Sequence, residues 1–199
     1  VVIRARRADG TRIALARGAT SLAIDDARAR ASRITLVLAD CDGVLTDTGV
    51  YYGEQGEILK RFSIRDGMGV ERLRHHGVRT GIVTGEVSPS VHRRAEKLRI
   101  EHLYLGIKDK RAALSKVLEE TGLGPEQIAY IGDDYNDLGI LRALSGHGLV
   151  ATPADGMPEV VAQVHYRCRA RGGHGAFRDF AEWILGLRGI GPETERSSE

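Results

Sequence analysis

The stretch Leu38-Ala39-Asp40-Cys41-Asp42-Gly43-Val44-Leu45-Thr46-Asp47 decides the fold. It closes an apolar, β-rich run, Ile34–Ala39, and sets two carboxylates one residue apart where that run stops. After it, short β-rich runs alternate with helical patterns, the signature of repeated βα units and a doubly wound, mostly parallel α/β sheet. In such a sheet ligands bind beyond the carboxyl ends of the strands. Asp40 and Asp42 can therefore point into one site, while Gly43 lets the backbone turn and offer N–H groups to an anion. Two close carboxylates repel unless a cation or a shared proton separates them. An acidic turn that merely closes a strand is the plainer reading, and the rest of the chain weighs against it.

Working outward, the further candidate strands are Val78–Val83, His102–Leu105, Ile128–Ile131 and Gly148–Val150. Ser88-Pro89 supplies an N-cap and a first-turn proline, after which Val91, Ala95 and Leu98 share one helical face. Asp109 similarly precedes Ala113, Leu114 and Val117, with Gly122 as the stop. Val70 and Leu73 mark another helix, and Phe177, Phe180, Ala181 and Ile184 a last one. Residues 48–63 differ: two β-rich runs flank Gly53-Glu-Gln-Gly56, which predicts a β-hairpin projecting from the sheet.

Three features join the carboxylate pair at the same sheet edge. Thr84 ends the second strand, Lys110 opens a helix, and Gly132-Asp133-Asp134-Tyr-Asn-Asp137 ends the fourth strand. Singly, Thr84 reads as a strand-end hydroxyl and Lys110 as a solvated helix residue. Together with Asp40 and Asp42 they supply a nucleophile, a phosphate clamp and a hard-cation site, the parts needed for Mg²⁺-dependent phosphoryl transfer.

Composition narrows the alternatives. The 199 residues are 42% hydrophobic and 28% charged, which excludes collagen-like, disordered and membrane-spanning classes. No apolar run is long enough to span a bilayer, and the first residues carry no signal-peptide core. Cys41 and Cys168 match no disulfide framework or zinc spacing, so a reducing cytoplasm is expected. The net charge of +2 is uneven: residues 1–33 hold eight arginines against Asp9, Asp25 and Asp26. That arm lacks interleaved aromatics and any nucleic-acid motif, so no nucleic-acid partner is expected. The expected organisation is a basic extension or remnant of an upstream module over 1–33, one domain over 34–187, and a flexible tail over 188–199. Because Val1 is not Met, the chain is expected to lack residues or to be cut from a longer polypeptide.

With those motifs in order, the sequence resembles the haloacid dehalogenase superfamily of phosphatases. The resemblance implies that Asp40 attacks phosphorus to form an aspartyl phosphate, and that Asp42 protonates the leaving oxygen and then activates water. It implies that Asp40, the Asp42 carbonyl and Asp133 hold Mg²⁺. Thr84, Lys110 and the Gly43 turn would bind the phosphoryl group. Asp137 would orient Lys110 or a metal-bound water, with Asp134 behind them or capping a helix. The dehalogenase branch lacks the second aspartate, so Asp42 favours a phosphatase.

No substrate-covering cap is inserted, and from about Ile34 to Leu185 the chain resembles the short capless phosphatases of 2-keto-3-deoxy sugar acids. That group includes 3-deoxy-octulosonate 8-phosphate and nonulosonate 9-phosphate phosphatases. The resemblance implies a small sugar-acid phosphate as substrate and a homotetramer in which neighbours supply the lid. Octulosonate enzymes resemble Thr-Gly-Arg after the second strand, whereas this chain has Thr84-Gly85-Glu86. Together with Lys97, Glu86 looks like the nonulosonate branch, so a nine-carbon, sialic-acid-type substrate is expected, the eight-carbon acid being the alternative. Glu86 as a helix cap and Lys97 as a solvated residue are the plainer readings. Arg171, in Arg171-Gly-Gly-His174, would reach a neighbour's site or remain on the surface. A decayed, assembly-only domain like that of animal sialate cytidylyltransferases is the remaining alternative, against which all the motif residues stand.

Overall fold

In the computed structural model, residues 4–6, 12–14 and 22–191 are described. Alternation along each strand sorts the core into two faces, because successive side chains of a strand point to opposite sides. In β3 (Leu36–Ala39), Leu36 and Leu38 enter one apolar cluster while Val37 and Ala39 enter the other. The same split divides Ile82 from Val83 in β6 (Arg79–Val83) and Ile128 from Ala129 in β8 (Ile128–Ile131). Strands buried on both faces read as continuous apolar runs, as these do.

β7 (His102–Tyr104), β9 (Leu149–Thr152) and β10 (Tyr166–Arg167) complete a six-stranded sheet in the order β10-β9-β8-β3-β6-β7. All its pairings are parallel. One face carries α1 (Ile24–Arg33), α2 (Ile64–His75), α3 (Pro89–Leu98) and α7 (Ala176–Leu187). The other carries α4 (Lys110–Thr121), α5 (Leu138–Ser145) and α6 (Pro158–Val161). The result is a three-layer, doubly wound α/β fold.

The caps act where the sequence put them. The Ser88 hydroxyl accepts from Val91 N–H with Pro89 in the first turn, Asp109 accepts from Ala112 N–H, and Gly122 closes α4 at φ 68°. The hairpin consists of β4 (Thr46–Gly53) and β5 (Gly56–Phe62), antiparallel and separate from the main sheet. A second antiparallel pair, β1 (Arg4–Arg6) with β2 (Arg12–Ala14), lies in the basic arm.

Six helices and strands stand outside the sequence reading: α1, α5, α6, β1, β2 and β10. α5 and β10 went unread, the first because Asp137 runs directly into it, the second because two residues carry no periodicity. The reading also set the body's start at Ile34, yet α1 precedes it and buries Ala27 and Ala31 completely in the core. The Arg30 guanidinium donates to the carbonyls of Ser145 and Gly148 at 2.7 and 3.1 Å, neutralising the negative end of α5. Arg188 donates to Ala31 O and Ile34 O from α7's end. Part of the basic arm is therefore packed into the domain, and its charge is used internally. Of the expected tail, residues 192–199 lie outside the described residues, whereas Arg188 is tied down by these bonds.

Candidate active site

Strand order reverses between β3 and β8, so their carboxyl ends flank the crevice where such sheets bind ligands. Asp40 N–H donates to Ile131 O at 3.0 Å, which joins the two strand ends. Beyond Asp40 the chain turns tightly: the Cys41 carbonyl accepts from the N–H groups of Leu45 and Thr46 at 2.9 and 3.0 Å. Gly43 sits at φ 90°, and a Cβ there would lie 1.9 Å from Asp133 Oδ2. Only glycine lets the loops after β3 and β8 approach this closely. Behind them, Gly173 N–H donates to Val44 O at 2.9 Å, and a Cβ at Gly172 would lie 1.9 Å from Gly43 O. The late Gly-Gly pair is thus the floor under the acidic loop.

Asp40 is buried. Its Oδ1 accepts from Cys41 N–H at 2.7 Å, and its Oδ2 lies 2.8 Å from Lys110 Nζ. Lys110, buried as well, also contacts Asp137 Oδ1 at 2.7 Å. Asp137 accepts from four donors, adding the Tyr130 hydroxyl at 2.6 Å and the N–H groups of Asp133 and Asp134 at 2.9 and 3.2 Å. It fixes Lys110 beside Asp40. Asp134 accepts from Tyr135 N–H at 2.6 Å and caps the short turn that follows.

Oxygen atoms of Asp40, Asp133 and Asp137 lie within 4.8 Å of one another. Three carboxylates against the one ammonium of Lys110 leave two negative charges. Asp133 Oδ1 is buried without a hydrogen-bond partner. Burial, then the nearby Asp137 charge, pushes the Asp40 carboxyl up to about 7. Burial and the charges of Asp40 and Asp137 push Asp133 up to about 8. Left to themselves these acids would hold protons. A hard divalent cation with oxygen ligands removes that repulsion and occupies the orphaned oxygen, so the residues fit one. With Asp137 already engaged four ways, Asp40 and Asp133 are the carboxylates left to ligate it.

A cleft of about 250 Å³ opens over this cluster, lined by Asp40, Asp42, Thr84, Glu86, Asp133 and Asp134, with Thr48, Gly85 and Asn136 at its margins. Thr84 is buried, and its hydroxyl accepts from Glu86 N–H at 3.3 Å. Glu86 is exposed and lies 3.6 Å from Lys108 Nζ. Ser88, not Glu86, caps α3. Lys97 is exposed on α3, outside the cleft lining. Arg171 is exposed too, held 3.1 Å from Asp155 Oδ2. Of the three residues read as setting specificity, the fold brings only Glu86 to the cleft of its own chain.

Asp42 stands at the cleft with both carboxylate oxygens engaged. Thr46 Oγ1 donates to Oδ1 at 3.1 Å, and Lys60 Nζ from β5 reaches Oδ2 at 2.5 Å. Lys60 and Tyr130 escaped the sequence reading. Lys60 stands in Ile58-Leu-Lys-Arg-Phe62, where nothing separates it from Arg61, and Tyr130 sits in an otherwise apolar strand. A buried lysine on a mostly exposed hairpin is a signal only once the fold is known.

No protein-family model matches the chain. It is 40% identical over 161 residues to the 3-deoxy-D-manno-octulosonate 8-phosphate phosphatase of Yersinia pestis, spanning 81% of this chain and 84% of that protein. Among solved structures it is similar to a haloacid dehalogenase superfamily (subfamily III A) hydrolase from Legionella pneumophila, with a TM-score of 0.78 and 32% identity over 83% of this chain and 90% of that one. It is similar also to the octulosonate phosphatase of Moraxella catarrhalis, solved with magnesium, phosphate and the sugar acid. There the TM-score is 0.77 and the identity 33%, over 84% of this chain and 94% of that one.

Proposed function

The chain belongs to the 3-deoxy-D-manno-octulosonate 8-phosphate phosphatases of the haloacid dehalogenase superfamily, and from that membership we propose that it hydrolyses the phosphate ester of a 2-keto-3-deoxy sugar acid with Mg²⁺ as cofactor. The carrying observation is the Asp40–Lys110–Asp137 cluster beside the unpartnered Asp133 oxygen.

The Asp40 carboxylate attacks phosphorus, and the bond to the sugar oxygen breaks with its electron pair leaving on that oxygen. Asp42 gives it a proton, releasing the sugar alcohol. Asp42, now a carboxylate, takes a proton from water; the resulting hydroxide attacks phosphorus and returns Asp40 with release of inorganic phosphate. Lys110 and Thr84 meet the charge on the transferring phosphoryl oxygens, and the N–H groups of the Gly43 turn add fixed dipoles. Asp40, the Asp42 carbonyl and Asp133 would hold Mg²⁺, which supplies Lewis-acid charge neutralisation when bound.

For the substrate, the relatives named for the eight-carbon octulosonate 8-phosphate favour that acid, the alternative to the nine-carbon acid that the resemblance at Glu86 and Lys97 implies. Glu86 at the cleft is the observation favouring a nonulosonate 9-phosphate. Lys97 and Arg171 serve either substrate only if a neighbouring subunit brings them to the cleft. Exposed Tyr51, Tyr52, Ile58 and Leu59 on the hairpin support a tetramer built on that surface. Among the described residues no helix is long and apolar enough to cross a membrane, and two buried free thiols suit a cytoplasmic enzyme.

Asp40→Asn removes the nucleophile at constant size. Turnover is expected to vanish with thermal unfolding unchanged, and chelation of Mg²⁺ is expected to silence the native enzyme; hydrolysis retained in either case overturns the mechanism. Parallel kcat/KM values on the eight- and nine-carbon phosphates decide the substrate, and sedimentation velocity decides the assembly.

A further inference from the structure

The hairpin is mostly solvent-facing, yet Lys60 on β5 is buried, its side chain 1% exposed. Burying an ammonium is costly unless it is paired, so the partners show what the residue is for. Its Nζ lies 2.5 Å from Asp42 Oδ2 and 3.7 Å from Glu57 Oε2. Glu57 in turn accepts from the hydroxyl of Ser88, the residue that caps α3. With Thr46 on the other oxygen, Asp42 is gripped at both ends, by the first residue of β4 and by β5. Neither Lys60 nor Glu57 lines the cleft, so neither is in place to touch a bound phosphate.

We propose that Lys60 is a positioning residue that holds the Asp42 carboxyl group in line with the leaving oxygen, tying the acid of the reaction to the hairpin and the start of α3. This rests on the role given to Asp42 above. A carboxyl free to rotate about its Cβ meets the leaving oxygen in only a fraction of encounters, and the lost orientation appears in the rate. The proton itself travels from Asp42 to the sugar oxygen; Lys60 gives up none.

The leaving group separates positioning from simple support. An alkyl phosphate such as the sugar acid needs its leaving oxygen protonated, whereas p-nitrophenyl phosphate releases a stable phenolate without help. The ratio of kcat/KM on the two esters, measured with Mg²⁺ on full-length protein, therefore reads Asp42's contribution as an acid. Lys60→Met is expected to lower the alkyl rate by about tenfold or more, part of what a general acid supplies, with a much smaller loss on the aryl ester. Lys60→Arg is expected to restore the alkyl rate, and adding Lys60→Met to Asp42→Asn is expected to cost little further, because one acts through the other. Should the methionine variant not fold, Lys60→Gln carries the same comparison. Equal losses on both esters, or full additivity with Asp42→Asn, overturn the assignment of Lys60. If Asp42→Asn itself treats the two esters alike, the acid role of Asp42 fails and the proposal falls with it.

Discussion

At the residue scale, the site depends on atoms that are missing as much as on groups that are present. Gly43 has no side chain where Asp133 Oδ2 needs room, and its φ of 90° disfavours one anyway. Gly43→Ala should push the Asp133 carboxylate aside and weaken Mg²⁺ by about 10–100-fold, the usual scale for disturbing what supports a metal ligand, as read from the Mg²⁺ dependence of the rate. His165 illustrates a different constraint. Its Nδ1 accepts from Val150 N–H at 3.1 Å, and burial, with Arg30 adding, pushes the ring's pKa down to about 4. The unfolded ring, near 6.5, binds a proton that the folded one refuses, so between about 6.5 and 4 the unfolded state gains protons. The neutral ring's contribution is whole above pH 6.5 and is lost as pH falls to about 4, where about 3 kcal/mol is gone. His165→Asn, which can still accept from Val150 N–H, should flatten that part of the denaturant-stability profile relative to the native protein. An unchanged profile would remove His165 as its cause.

At the element scale, the glycine pair between β10 and α7 packs against the acidic loop from a distance of some 130 positions along the chain. Gly172→Ala puts a methyl group into the Gly43 carbonyl, a backbone atom that cannot swing away. Such overpacking costs about 1–3 kcal/mol, which for a domain this size is a Tm drop of about 2–12 °C. Activity should fall further than stability, because the displaced loop carries Asp40 and Asp42. Differential scanning calorimetry beside a rate assay separates the two. The hairpin was legible from Gly53-Glu-Gln-Gly56 because turn chemistry is local, whereas its inward Lys60 was not, because the strand's facing is set by what it packs on. The helix caps at Ser88 and Asp109 were legible for the same local reason.

At the scale of the whole molecule, the basic start of the chain is divided between two uses. α1 closes one face of the core through Ala27 and Ala31, and Arg30 and Arg188 tie it to α5 and α7. A chain begun at Ile34 should therefore lose cooperative thermal unfolding, as monitored by circular dichroism; an undiminished transition would show that α1 is dispensable. Helix α1 was missed because its apolar residues are few and small, so burial comes from close approach to α7 and not from a visible stripe. The sequence by itself determined the doubly wound sheet and the four polar stations at its edge, since strand alternation, caps and turn residues act over a few neighbours. Only the tertiary structure decided that Asp137 holds Lys110, that Asp133 keeps an unpartnered oxygen, that Lys60 grips Asp42, and that Lys97 and Arg171 stand away from their own cleft. Those facts depend on contacts between residues far apart in the chain, which periodicity and spacing do not encode.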